Sequence, residues 1–145
     1  MRAAPAAVPP ARAEPGAPAI PSPAQPATIL VVDDSITTRS LEKNLLEAHG
    51  YHVRVAVDGL EALARLREEP AGLVIADISM PRMNGFELLE RMKADKKLAG
   101  IPVIVVTSME RREDQERGLA LGADAYIVKR KFDQRELLET VRQIL

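Results

Sequence analysis

Residues 28–35 read Thr-Ile-Leu-Val-Val-Asp-Asp-Ser. A β-prone run that is apolar from Ile29 to Val32, with no polar alternation, describes a strand covered on both faces, as in a parallel sheet flanked by helices. Two adjacent carboxylates, Asp33 and Asp34, then end it. They repel each other, so something must hold them. Ser35 after them is a helix-start signal.

The pattern repeats along the chain. Further β-rich runs are His52–Val57, Leu73–Ala76, Ile101–Val106 and Ala125–Val128, each followed by helical spacing. Leu41, Leu45 and Ala48 mark the first helix; Leu60, Leu63 and Ala64 the second; Leu88, Leu89 and Met92 the third. The fourth, around Asp114–Leu121, is weaker and more charged, and Leu137, Val141, Ile144 and Leu145 mark the last. Helix starts are expected at Ser35, at Asp58 with Glu61, at Asn84, and at Asp133 with Glu136. Stops are expected at Gly50, Gly72, Gly100 and Gly122. Five such units predict an α/β, doubly wound, five-stranded parallel sheet of the flavodoxin-like (βα)5 type, strand order 2-1-3-4-5.

Composition narrows the function classes. The chain has 145 residues, one domain in size, and 46% are hydrophobic, enough for a core; only 3% are aromatic, so aliphatic residues must pack it. A net charge of −1 gives no reason to expect nucleic-acid binding. The absence of cysteine excludes disulfides and thiolate metal sites. Apolar runs are too short to cross a bilayer, and prolines interrupt the N-terminus where a signal-peptide core would lie. A cytoplasmic protein is expected, with neither nucleic acid nor membrane as partner. Residues 1–27 hold eight of the eleven prolines, interleaved with alanine. Such a segment is a semi-rigid spacer: either a natural terminus or, the favoured reading, an interdomain linker ahead of a globular unit at 28–145.

In a doubly wound sheet, function sits at the carboxyl ends of the strands, near the first and third. Those ends carry Asp33 and Asp34, Asp77, Thr107 with Ser108, and Lys129. Singly, each has an ordinary explanation as a turn, a cap or a solvated charge. Together they converge, and their chemistry is complementary. Three carboxylates in one cleft need a cation, and oxygen ligands without His or Cys select Mg²⁺ or a similar ion with waters retained. With a hydroxyl and an ammonium opposite, this is a phosphoryl-transfer arrangement in which a carboxylate attacks phosphorus. Asp77, at the end of the central strand, is the candidate nucleophile.

The chain resembles the response-regulator receiver domains (CheY-like) over essentially all of 28–145. "VVDDS", "ADISMPRMNGFEL", "PVIVVTS" and "GADAYIVK" carry the likeness, with thirty residues from Asp77 to Thr107 and twenty-two on to Lys129. The resemblance implies that Asp77 accepts a phosphoryl group from a phosphohistidine of a histidine kinase or phosphotransfer domain. It implies that Asp33, Asp34, Asp77 and the Ser79 backbone carbonyl hold Mg²⁺, that Lys129 contacts the phosphoryl oxygens, and that Thr107 and Tyr126 form the conformational switch. Ser108 would leave access to the site, and Ser79 and Met109 would tune the phosphoryl lifetime. Protein targets are expected at the face of the fourth helix, fifth strand and fifth helix.

Proline usually follows the lysine in this family; here Arg130 and Lys131 do, so no cis bond is expected there. Together with "DDSITTRSLEKNLLEAHGY" and "YIVKRKFDQRELLETVRQIL", this resembles the C-terminal receiver of chemotaxis-type (CheA-like) hybrid histidine kinases. The basic residues of 129–131 read as solvated charge rather than an anion patch. His49, His52, Met80, Met83 and Met92 read as structural or exposed, and Asp58 as a cap on an edge strand away from the site. Two rivals stand. A haloacid-dehalogenase-type phosphatase would carry D-x-D after its first strand, whereas here the acids are adjacent. A pseudo-receiver, docking without phosphorylation, tends to lose one of the acids, the hydroxyl or the lysine, and this chain keeps them all.

Overall fold

The computed structural model describes residues 27–129 and 134–145. The spacer reading for 1–27 therefore falls outside the described residues except at Ala27, as do Arg130, Lys131 and the cap at Asp133. Five strands and five helices alternate among the described residues: β1 (Thr28–Val32), α1 (Ile36–Ala48), β2 (His52–Ala56), α2 (Gly59–Glu68), β3 (Leu73–Ala76), α3 (Gly85–Ala94), β4 (Val103–Thr107), α4 (Arg112–Ala120), β5 (Ala125–Val128) and α5 (Gln134–Ile144). The sheet runs β2-β1-β3-β4-β5, with every pairing parallel. This is the predicted flavodoxin-like order. β4 begins two residues later than expected because Pro102 lacks an N–H for the ladder, and it extends to Thr107.

Alternate residues along each strand feed two cores. Ile29, Val31, Leu73, Ile75, Ile104 and Val106 pack with Leu46 of α1 and with Leu137 and Val141 of α5. Leu30, Val32, Val74, Ala76, Val103 and Val105 pack on the other face with α2 and α3, through Leu63, Leu66, Phe86, Leu89 and Met92. Burial on both faces is what the unbroken apolar runs require. α4 buries only Gly118, in keeping with its charged sequence.

Local signals set most boundaries. Ser35 Oγ accepts from Thr38 N, Asp58 from Glu61 N, and Asn84 forms a reciprocal capping box with Glu87. Gly50 and Gly122, at φ +91° and +108°, close α1 and α4 in the left-handed region, with Tyr51 N and Ala123 N reaching back to Leu46 O and Gly118 O. Gly72 and Gly100 do not serve this way: α2 and α3 end earlier, at Glu69 and Asp95. Two helix faces also differ from expectation. α1 turns Glu42 and Leu46 inward and leaves Leu41 exposed; α2 buries Ala62, Leu63 and Leu66 and exposes Leu60 and Ala64.

Candidate functional site

The site forms where the β1 and β3 ladders run out. Asp33 N donates to Ala56 O and Asp77 N to Val32 O, so both acids are held by the last backbone bonds of the sheet. Asp33 is 1% and Asp77 6% exposed, while Asp34 faces solvent. Oxygens of all three lie within 4.8 Å of one another. The structure therefore brings together the three predicted acids, two walled in and one at the mouth.

Lys129, just past β5, completes the cluster. Its Nζ donates to Asp33 Oδ2 and to Asp77 Oδ2, each at 2.9 Å. Burial opposes its charge, yet the two carboxylate bonds outweigh that and hold the ammonium above the ordinary lysine value. Burial pushes the Asp33 carboxyl up, against the bonds it accepts from Lys129 and from Ser35 N at 2.8 Å. Asp77 Oδ1 accepts from Ile78 N at 2.6 Å. The Arg39 guanidinium donates to Asp33 O at 2.8 Å and pins the β1–α1 junction.

Thr107 and Tyr126 are linked to each other through Met109 rather than to Asp77. Thr107, fully buried, accepts from Met109 N at 3.3 Å, and the Tyr126 hydroxyl donates to Met109 O at 2.7 Å. Both candidate switch residues thus hold the backbone of the β4–α4 loop. Burial, with Asp114 and Asp77 adding to it, pushes the Tyr126 phenol up to about 12. Gly118 of α4 makes room for the ring: a Cβ there would lie 3.1 Å from Tyr126 Cδ2. Ser79 is exposed, with its hydroxyl 4.0 Å from Met109 Sδ across the mouth, and Ser108 is also exposed. Asp34, Ser79, Asn84, Met109 and Arg117 border an open groove of about 660 Å³ beside the acids.

Two features were missed in the sequence. Asp58 is more than a helix cap. It is buried, and its carboxylate binds the Arg82 side chain of the β3–α3 loop at 2.7 Å, while Gly59 N donates to Met83 O. The Arg82 bonds and the cap bond from Glu61 N outweigh burial and hold the Asp58 carboxyl below its usual range. Gly85 seals the loop's other end, since a Cβ there would press on the Asp77 carbonyl oxygen. The second feature is Glu42, 2% exposed, which burial and the neighbouring Asp33 push up to about 8. Its signal was a lone acid on the inward face of α1.

Residues 29–142 match the model of the response regulator receiver domain. The chain belongs to that family. It is 34% identical to the Vibrio cholerae chemotaxis protein CheY4, whose structure superposes with a TM-score of 0.78 over 83% of this chain and 100% of that one. The signal receiver domain of a signal transduction histidine kinase from Syntrophus aciditrophicus is also 34% identical, with a TM-score of 0.76 over 82% of this chain and 89% of that one. A gliding motility regulatory protein of Myxococcus xanthus is 38% identical over 80% of this chain, which spans only 15% of that protein's length. Receiver domains of this family work with histidine kinases or phosphotransfer proteins and bind Mg²⁺ through an acidic pocket. Among the described residues no helix is long and apolar enough to cross a membrane.

Proposed function

We propose that this receiver accepts a phosphoryl group on Asp77 from a phosphohistidine. The observation that carries the reading is the cluster itself: three carboxylates within 4.8 Å, two of them joined by one lysine at 2.9 Å. One ammonium against three carboxylates leaves excess negative charge, and an all-oxygen donor set with one exposed member suits Mg²⁺ with retained waters. Asp33, Asp34 and Asp77, with the Ser79 carbonyl, would hold it. Bound there, Mg²⁺ supplies charge neutralisation for the phosphoryl oxygens.

An Asp77 carboxylate oxygen attacks phosphorus, the bond between phosphorus and the histidine nitrogen breaks, and the imidazole leaves with the electron pair. Lys129 follows the charge from the Asp77 carboxylate to the transferred oxygens. The Thr107 hydroxyl then turns to donate to a phosphoryl oxygen and gives up the bond it accepts from Met109 N, which releases one of the two holds on the β4–α4 loop and shifts the α4–β5–α5 face towards its targets. Ser108 leaves the approach open, while Ser79 and Met109, at the mouth, set how readily water hydrolyses the acyl phosphate.

The full chain should gain the mass of one phosphoryl group when incubated with acetyl phosphate and Mg²⁺, and Asp77→Asn should gain none. Equal masses for the two proteins contradict the reading.

We further place this receiver, at residues 28–145, behind a Pro/Ala spacer at the C-terminus of a chemotaxis-type hybrid histidine kinase in the cytoplasm. The likeness to the Syntrophus kinase receiver and the small share of the Myxococcus protein that is matched support a receiver carried within a longer chain. Mapping translation initiation to Met1 contradicts that placement.

A further inference from the structure

Of the buried polar side chains among the described residues, Asp33, Asp77 and Thr107 belong to the site and Asp58 is paired with Arg82. Glu42 remains. It sits one helical turn after Thr38 on α1, and both border a cavity of about 140 Å³ that Leu41, Val106 and Lys129 complete. Its Oε2 is buried and has no hydrogen-bond partner among the described residues. A carboxyl oxygen kept dry and unbonded is costly, so it points to a partner that arrives in another state of the protein.

Lys129 is the cation in that cavity wall. An ammonium has three donors, and here two go to Asp33 and Asp77. A divalent cation on the acidic cluster would compete with Lys129 for those same oxygens and repel it. The cavity leaves space for the ammonium to turn away from Asp33 towards α1. We propose that Glu42 is a positioning residue that receives the Lys129 ammonium when a divalent cation occupies Asp33, Asp34 and Asp77. The exchange frees Asp33 for the metal and keeps Lys129 beside Asp77, ready for the phosphoryl oxygens. This rests on the magnesium reading above.

A double-mutant cycle on the full chain tests the exchange, with Mg²⁺ affinity read by isothermal titration. Glu42→Gln keeps the shape of the side chain and should weaken Mg²⁺ binding about fivefold while Lys129 is present. In a Lys129→Met background the same substitution should change affinity by less than about twofold, because no ammonium then needs a seat. At Mg²⁺ saturation the Lys129 Cε resonance should settle at a different position in Glu42→Gln from that in the wild type. Equal weakening in both backgrounds overturns the proposal, since Glu42 would then act only as a nearby negative charge. Unchanged affinity in Glu42→Gln overturns it as well. If that variant does not fold, Glu42→Met is put through the same cycle with the same two readings. A wild type that takes up no Mg²⁺ removes the metal reading itself, and the exchange with it.

Discussion

The Arg82 guanidinium lies 2.7 Å from the Asp58 carboxylate, joining the loop after β3 to the start of α2. Arg82 adopts φ +64°, outside the range that side chains prefer. The pair holds a strained turn in place, and that turn leads from Ser79 into Asn84 and α3.

Loss of this pair should loosen the β3–α3 loop, which carries the proposed Ser79 ligand. Arg82→Ala should destabilise the fold slightly, since Arg82 is largely exposed and Asp58 keeps its cap bond from Glu61 N but loses its ion pair. Arg82→Gly should cost less, because glycine relieves a backbone strain of roughly 1 kcal/mol. Both should weaken Mg²⁺ binding through the Ser79 segment. Urea unfolding and Mg²⁺ titration check this; wild-type values in both variants contradict it.

Glu42 makes stability depend on pH. Its carboxyl is pushed up to about 8 from 4.5, so the folded chain holds a proton that the unfolded chain releases. The associated stability is fully present below about pH 4.5 and is lost as pH rises to about 8. The shift corresponds to at most about 5 kcal/mol. Glu42→Gln should therefore gain on the wild type between pH 5 and pH 8 in metal-free urea unfolding. A stability difference that does not change with pH contradicts it.

Asp34 separates binding from folding. It is exposed at the mouth of the cluster, so Asp34→Asn should alter stability by no more than about 0.5 kcal/mol. Mg²⁺ affinity should fall by at least about tenfold, as expected when part of a metal site is removed. Calorimetric titration beside thermal unfolding distinguishes the two, and retained affinity contradicts a ligand role for Asp34.

Much of this was legible because polar residues at the ends of all-apolar strands have few reasons to be there. Asp33, Asp77, Thr107 and Lys129 were readable on those grounds, and the alternation of strands and helices implied the sheet that gathers them. The phase of α1 was not. In "SLEKNLLEA" the leucines suggest the inward face, yet Glu42 and Leu46 occupy it, because the helix passes over a polar site at its N-terminal end. An acid on a charged helix reads as solvated unless the opposing Lys129 is already known. Asp58 carried an unmistakable cap signal, and that sufficient local role hid its second partner, twenty-four residues on. Thr107 and Tyr126 were recognisable as a pair, but not that Met109 joins them: a backbone amide and carbonyl leave no mark on residue identity.

The most direct test of the account is the chemical location of the phosphoryl group. After incubation with a phosphohistidine donor and Mg²⁺, borohydride reduction converts an acyl phosphate into an alcohol that peptide mass mapping can place. The account predicts homoserine at position 77, abolished by EDTA and absent from Asp77→Asn. Label at Asp33, Asp34 or a hydroxyl residue, or none at all, contradicts it.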